Sequence, residues 1–412
     1  MIFRPLVKFN VTITLGSSRS HRKALAIARI ATFVDSVVEL NIGERTRYLF
    51  QFQYLLSPAL FTIVKALPAM RQLHTMQLSS IFLAETHLYC ILSSLYLTHL
   101  MLHSIQMPKM SRFPSSNPNL RKLTLESVSW GAVQPLIVHL AASLEYLEFY
   151  SCIFPFGPRS RPQLPPFPSL RELRHRHNYG NDAVLDELFH VSQVTHLHLF
   201  GTLESGRIAS FPKSLQHLST KDGMLTQRML GTTPMAQLIS LRIRLSVKWR
   251  MSCQLTLSAF ICDHFPGIAS LHLDIRWPLR NVALVMARSQ HNVRVIELSV
   301  LIHPGLDFQG RCQWNQVETL KDYPRNNMSP GVLQSLRVDV VQYRGDLKRS
   351  LALCSQWIDD DVVHPVTGLG GSDLKSIDVS FVLHERGSGR ERRIWKRWAK
   401  LRDGDWRIEG AL

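Results

Sequence analysis

One six-residue pattern recurs along most of the chain and limits what it can fold into. Apolar, two of any kind, apolar, any, apolar describes VVELNI (37–42), LHTMQL (73–78), LTHLML (97–102), LRKLTL (120–125), LEYLEF (144–149), LRELRH (170–175) and VTHLHL (194–199). It continues as LQHLST (215–220), LISLRI (238–243), IASLHL (268–273), VRVIEL (293–298), LQSLRV (333–338) and LKSIDV (374–379), with His175 and Thr220 relaxing the last position. The central residues are 40, 76, 100, 123, 147, 173, 197, 218, 241, 271, 296, 336 and 377, and the steps from 76 to 296 run 24, 23, 24, 26, 24, 21, 23, 30 and 25. Chance leucines would not hold that period.

Successive side chains of a strand point to opposite faces, so the central residue and the one two places on share a face. No single repeat can bury that face alone, and stacking of repeats creates the core. A 20–29-residue period carrying this motif is the leucine-rich-repeat signature. The expected fold class is therefore α/β: an irregular leucine-rich-repeat solenoid. A curved, mostly parallel sheet should line its concave face, with helices and loops on the convex face. Phe-Pro pairs in FPSL (167–170), FPKSL (211–215) and FPGI (265–268) stand just ahead of three strands. Proline there stops a helix from running into the strand.

The pattern sets the expected domain organisation: a solenoid of about 13 repeats over 1–385, with insertions at about 303–332 and 342–373. A helix is expected within GDLKRSLALCSQWIDDD (345–361). Residues 386–412 are expected to form a basic C-terminal capping helix or tail, because Ile394, Trp398 and Leu401 share a face at helical spacing. At the other end, KFNVTITLG alternates like a strand and SHRKALAIARIA reads as a helix, so the acid-free residues 1–34 are taken as fold and not as a targeting peptide.

The irregular LxxLxL strands, the approach PPFPSLREL and the opening VTITLGSSRSHRKALAIAR…VVELNI resemble the divergent F-box/leucine-rich-repeat proteins of mushroom-forming fungi, over about 4–380. The resemblance implies a protein-recognition solenoid. It also implies a role as substrate receptor of an F-box-type ubiquitin ligase, with contact to the ligase adaptor, if an F-box is supplied upstream; none is recognisable in this chain. The family's Asn or Cys three residues after the last strand leucine stands here only as Cys152 and Asn178, while Thr202, Gly223, Ser246 and Arg276 stand elsewhere. Irregular turns are therefore expected.

The chain carries 48 Lys and Arg against 31 Asp and Glu, a net charge of +17, which attracts anionic partners. Strand register projects Arg174, Arg176, His196, His198, Phe200, His217, Lys221, Arg242 and Arg244 onto the concave face, with Glu172 among them. Lys122, Glu126, Tyr146, Glu148 and Tyr150 precede this patch, and Asp274, Glu297, Asp339 and Asp378 follow it. The expected ligand is a protein or phosphoprotein. The alternative is a nucleic-acid- or anion-binding protein that uses the basic concave surface and the C-terminal basic tail. An anion should bind more tightly as pH falls from about 7.5 to 6, as His196, His198 and His217 gain charge.

GLGGS (368–372) lacks the lysine of a phosphate loop, the chain has no HExxH or GxSxG, and the histidines and six cysteines lack zinc spacing. The expectation is a non-enzymatic protein with no cofactor, metal or catalytic residue. Scattered cysteines without a CxxC pair suit a reducing, cytoplasmic or nuclear setting. No membrane span is expected, since the most apolar stretch, 49–67, contains Gln51, Gln53, Pro58 and Lys65.

Overall fold

The computed structural model describes residues 9–15, 18–29, 36–44, 58–107, 113, 119–154, 163–180, 183–200, 211–221, 234–244, 261, 264–276, 293–302, 334–343, 374–384, 391–400 and 406–409. The chain divides into two compact units, Met1–Leu215 and Gln216–Leu412.

Among its described residues the first unit has eight strands: β1 (Phe9–Leu15), β2 (Val37–Glu44), β3 (Thr75–Ser79), β4 (His99–His103), β5 (Lys122–Glu126), β6 (Tyr146–Tyr150), β7 (Glu172–Arg176) and β8 (His196–Phe200). They pair side by side in sequence order, all parallel. Helices α1 (Ser18–Arg29), α2 (Pro58–Ala66), α3 (Glu85–Leu92), α4 (Trp130–Leu140) and α5 (Ala183–Val191) lie on the returns between strands. Their apolar residues recur at helical spacing, as Trp130, Val133, Leu136, Ile137 and Leu140 do in α4, and these are buried.

In the second unit β9 (His217–Lys221), β10 (Ser240–Arg244), β11 (Ser270–Arg276), β12 (Val295–Ile302), β13 (Ser335–Tyr343) and β14 (Ser376–His384) are likewise parallel and in sequence order. Two antiparallel strands follow, β15 (Glu391–Lys400) and β16 (Trp406–Glu409). All thirteen pattern centres fall in β2–β14, and each is buried. The apolar residue three places earlier is buried too, as with Leu97, Leu120, Leu144, Leu170 and Val194. Removing a leucine side chain from water is worth about 1.5–3 kcal/mol, so the stacked rows carry the fold.

The turns of the first unit are regular, where irregular ones were expected. Each strand from β3 to β7 is followed by a residue with left-handed φ: Ser80, Ser104, Ser127, Ser151 and His177, at 50–54°. Their N–H groups donate to the carbonyls of His103, Glu126, Tyr150, Arg176 and Phe200 at the ends of the next strands. The residue after each, Ile81, Ile105, Val128, Cys152 or Asn178, turns inward and is buried. The last two continue the ladder through side chains: Asn178 Oδ1 accepts from the Cys152 N–H at 2.7 Å, and its Nδ2 donates to the Phe149 carbonyl at 3.1 Å. Burial raises the Cys152 thiol pKa to about 11, which keeps it protonated.

The expected C-terminal helix is a hairpin of strands over the described parts of 386–412. Ile394 and Trp398 are four residues apart, an even number, so they share a side in a strand as well as in a helix. Pairing with β14 decides the matter: Trp398 sits opposite Ile377 and is buried, and Arg397 sits opposite Asp378. A sheet edge left open has unpaired backbone groups, and satisfying them outweighs helix propensity. The insertion at 303–332, the helix at 345–361 and the turn residues Thr202, Gly223 and Ser246 lie outside the described residues; Arg276 ends β11. Among the described residues no helix is long and apolar enough to cross a membrane.

Candidate functional site: the outer face of the sheet

Alternation places the residues between the buried rows on the solvent face of each unit's sheet. In the first unit this brings Arg174, Arg176, His196, His198 and Phe200 to one face, as register predicts. Arg174 lies opposite Glu148 and His198, and Arg176 opposite Tyr150 and Phe200. Their surroundings differ from a bare basic patch. Arg174 Nη2 lies 2.7 Å from Glu172 Oε1, and its guanidinium carbon is 5.2 Å from the Tyr146 ring centroid. The Tyr146 hydroxyl donates to Glu148 Oε2 at 2.5 Å. Arg176 Nε is 3.4 Å from Glu148 Oε1, and its guanidinium carbon is 5.9 Å from the Phe200 centroid. Each arginine thus lies between a carboxylate and an aromatic ring; Arg174 hydrogen-bonds its carboxylate, whereas the buried Nε of Arg176 makes no hydrogen bond among the described residues. Across this face Lys122, Arg174 and Arg176 are matched by Glu39, Glu126, Glu148 and Glu172, so the expected concentration of positive charge is cancelled here.

His198 also departs from expectation. Burial, then the Arg174 charge beside it, lowers the His198 pKa to about 4, although Glu172 Oε1 lies 3.5 Å from its Nε2. His198 is therefore neutral throughout pH 6–7.5 and cannot strengthen anion binding in that range. His196 is exposed, with Nδ1 3.0 Å from Thr195 Oγ1. His175 faces inward, stacked on Phe154 with ring centroids 5.4 Å apart, and burial lowers its pKa to about 4. It is a core histidine among aromatic rings.

His217, Lys221, Arg242 and Arg244 belong to the second unit, where Lys221 lies opposite Arg244. Arg242 is engaged: Nε and Nη2 donate to Asp274 Oδ2 and Oδ1 at 3.0 and 2.9 Å. Burial alone would raise the Asp274 pKa, but hydrogen bonds from His272 and Arg242 bring it down to about 2. His272 lies 3.0 Å from Glu297 Oε2 through Nδ1, while its Nε2 lies 3.0 Å from Asp274 Oδ1 and 2.9 Å from Ser299 Oγ. The middle register row reads Arg242, His272, Glu297, Arg337, Asp378, Arg397, and its charges alternate after His272. Arg397 Nε is 3.2 Å from Asp378 Oδ1, and Arg337 Nε is 3.2 Å from Asp339 Oδ2. The acids expected beyond the patch are present, and sequence reasoning passed over the cations that neutralise them, Arg337 and Arg397. For Arg337 the signal is its even spacing from Asp339 in one strand; for Arg397 the sequence holds none, because its segment reads as a helix or tail.

Sequence reasoning also set Tyr146 and Tyr150 outside the site. Tyr150 is exposed at the end of β6, 5.9 Å from the His177 ring, and just past the strands Ile153 and Tyr179 are about half exposed and bridge one another. Tyr150, Arg176 and Phe200 stand in adjacent register at the strand ends of β6–β8, a mixed aromatic and cationic row. Among the described residues no group of three His, Cys, Asp or Glu is placed to hold a metal ion. No family model matches the chain, and no curated protein matches it.

Proposed function

We propose that the chain is a non-enzymatic recognition module of the leucine-rich-repeat solenoid type, which binds a protein segment of mixed charge across the outer face of β6–β8. The observation that carries this reading is the set Tyr146, Tyr150, Arg174, Arg176 and Phe200 in adjacent register, with both guanidinium groups already positioned. Tyrosine and arginine dominate the energetics of protein interfaces, and side chains that are already ordered lose less entropy on binding. Repeat period, sequential parallel strands and the recurrent left-handed turn support the solenoid assignment. The interleaved glutamates favour a protein ligand over nucleic acid on this face, since a phosphate backbone would meet Glu148 and Glu172 as well as the arginines.

The resemblance to F-box/leucine-rich-repeat proteins extends the proposal: with an F-box upstream, the module would present substrates for ubiquitin ligation in the cytoplasm or nucleus. Peptide-display selection on the full chain tests the face. Selected peptides should bind Tyr150→Ala/Arg176→Ala at least tenfold more weakly than wild type, with the melting temperature as a control for folding. Unchanged affinity would remove β6–β8 as the site.

A further inference from the structure

The excess positive charge is displaced from the first unit's sheet face, and one place it collects is α1. This helix packs its buried residues Ala24 and Ile27 toward β1 and α2. Its exposed residues are Arg19, Arg22, Lys23, Ala26 and Arg29, and no acid occurs in its sequence, SRSHRKALAIAR. Positions 19, 22, 26 and 29 follow i, i+3, i+7, i+10, which is one stripe along the helix. At 1.5 Å rise per residue the three arginines span about 15 Å. Lys23 Nζ donates to the Thr12 carbonyl at 2.5 Å. Among the described residues, Arg19, Arg22 and Arg29 have no carboxylate partner. Arg19 also stands in the first turn, where the helix dipole disfavours a cation. Three guanidinium groups in one row, without the acids that accompany arginine elsewhere in this unit, are matched by a partner with regularly repeated negative charge.

We propose that the outer face of α1 docks on the phosphodiester backbone of a nucleic acid, at a site separate from the sheet face. Guanidinium groups bind phosphate oxygens through paired N–H donors, and contacts of this kind set position without reading sequence. An anionic membrane fits less well. A helix that lies in a bilayer inserts its apolar side, and here that side is occupied by the fold, leaving Ala26 as the uncharged residue on the exposed stripe.

Fluorescence anisotropy of the full chain with a 20-nucleotide RNA and a 20-base-pair DNA, across 50–200 mM salt, tests the proposal and separates the two sources of phosphate. In Arg19→Ala/Arg22→Ala/Arg29→Ala the slope of log affinity against log salt should flatten by about 2 for RNA or about 2.7 for DNA, the loss of three phosphate contacts. Affinity at 100 mM salt should fall at least tenfold. The variant with lysine at the same three positions should keep the wild-type salt slope and lose less affinity than the alanine variant, because it keeps the charge but not the paired donors. Equal affinity and slope in the alanine variant would overturn the proposal, as would equal loss in both variants. Tighter binding to phosphatidylserine vesicles than to either nucleic acid would also overturn it.

Discussion

The two units satisfy the same repeat by different means. In the first, β3–β8 are all five residues long, because a left-handed residue ends each of β3–β7 at the same register. In the second, β11–β14 run to seven, eight, nine and nine residues, and an antiparallel hairpin follows them. Their solvent faces differ in kind. β6–β8 carry arginines held between carboxylates and aromatic rings, leaving Tyr150, Ile153 and Tyr179 exposed. β10–β15 carry ion pairs within and between strands, Arg337–Asp339 along β13 and Arg242–Asp274 and Arg397–Asp378 across neighbours, which neutralise one another. A face whose polar groups are mutually satisfied suits holding strands in register, whereas exposed aromatics beside an ordered arginine suit a partner.

The largest effects should be common to both units and would break the comparison if they were not. Leu197→Ala and Leu271→Ala each remove a fully buried centre and should cost about 2–5 kcal/mol in chemical denaturation. A negligible cost at either position would mean that the repeat core is not shared.

Acid should then separate the units. The His175 pKa is lowered in the fold, so the unfolded chain takes up its proton first as pH falls below about 6.5. Stability should decline between about pH 6.5 and 4, by on the order of 3 kcal/mol for this group, and Phe in its place should abolish that part of the decline. Asp274, in the second unit, has the opposite sign of linkage. Its stabilisation is present above about pH 4 and is lost as pH falls toward 2; Asp274→Asn should cost about 2 kcal/mol at pH 7 and little at pH 2. Melting temperature against pH for the two variants checks both signs.

A smaller effect would sharpen the account of the turns. Asn178→Ala leaves the Cys152 N–H and the Phe149 carbonyl without this partner, at a cost of about 1–3 kcal/mol by urea denaturation. Smallest of all, Ser127→Val should cost about 1–2 kcal/mol, since a β-branched residue resists positive φ, while Ser127→Gly should be close to neutral. Equal stability of the two Ser127 variants would contradict the left-handed turn.

The repeated period by itself determined much of this molecule. Burial of one face fixes strand register, because a one-residue slip would expose the whole apolar row; that is why the sequence pattern alone locates every buried centre, from Leu40 to Ile377. The same logic placed Arg174, Arg176, His196 and His198 on the solvent face. What register cannot supply is lateral company. Glu148 stands 28 residues before Arg176, and Asp274 stands 32 residues after Arg242, yet each pair meets across a strand-to-strand spacing of about 4.8 Å. Those contacts turned an expected basic patch into one with matched charges, and burial with the neighbouring Arg174 kept His198 neutral. The Ser-apolar dipeptides after successive strands were visible in the sequence, but serine is common in turns of many kinds, and only the backbone showed its left-handed φ. The C-terminal segment shows the limit most clearly: a four-residue spacing satisfies helix and strand alike, and the open edge of β14 decided between them.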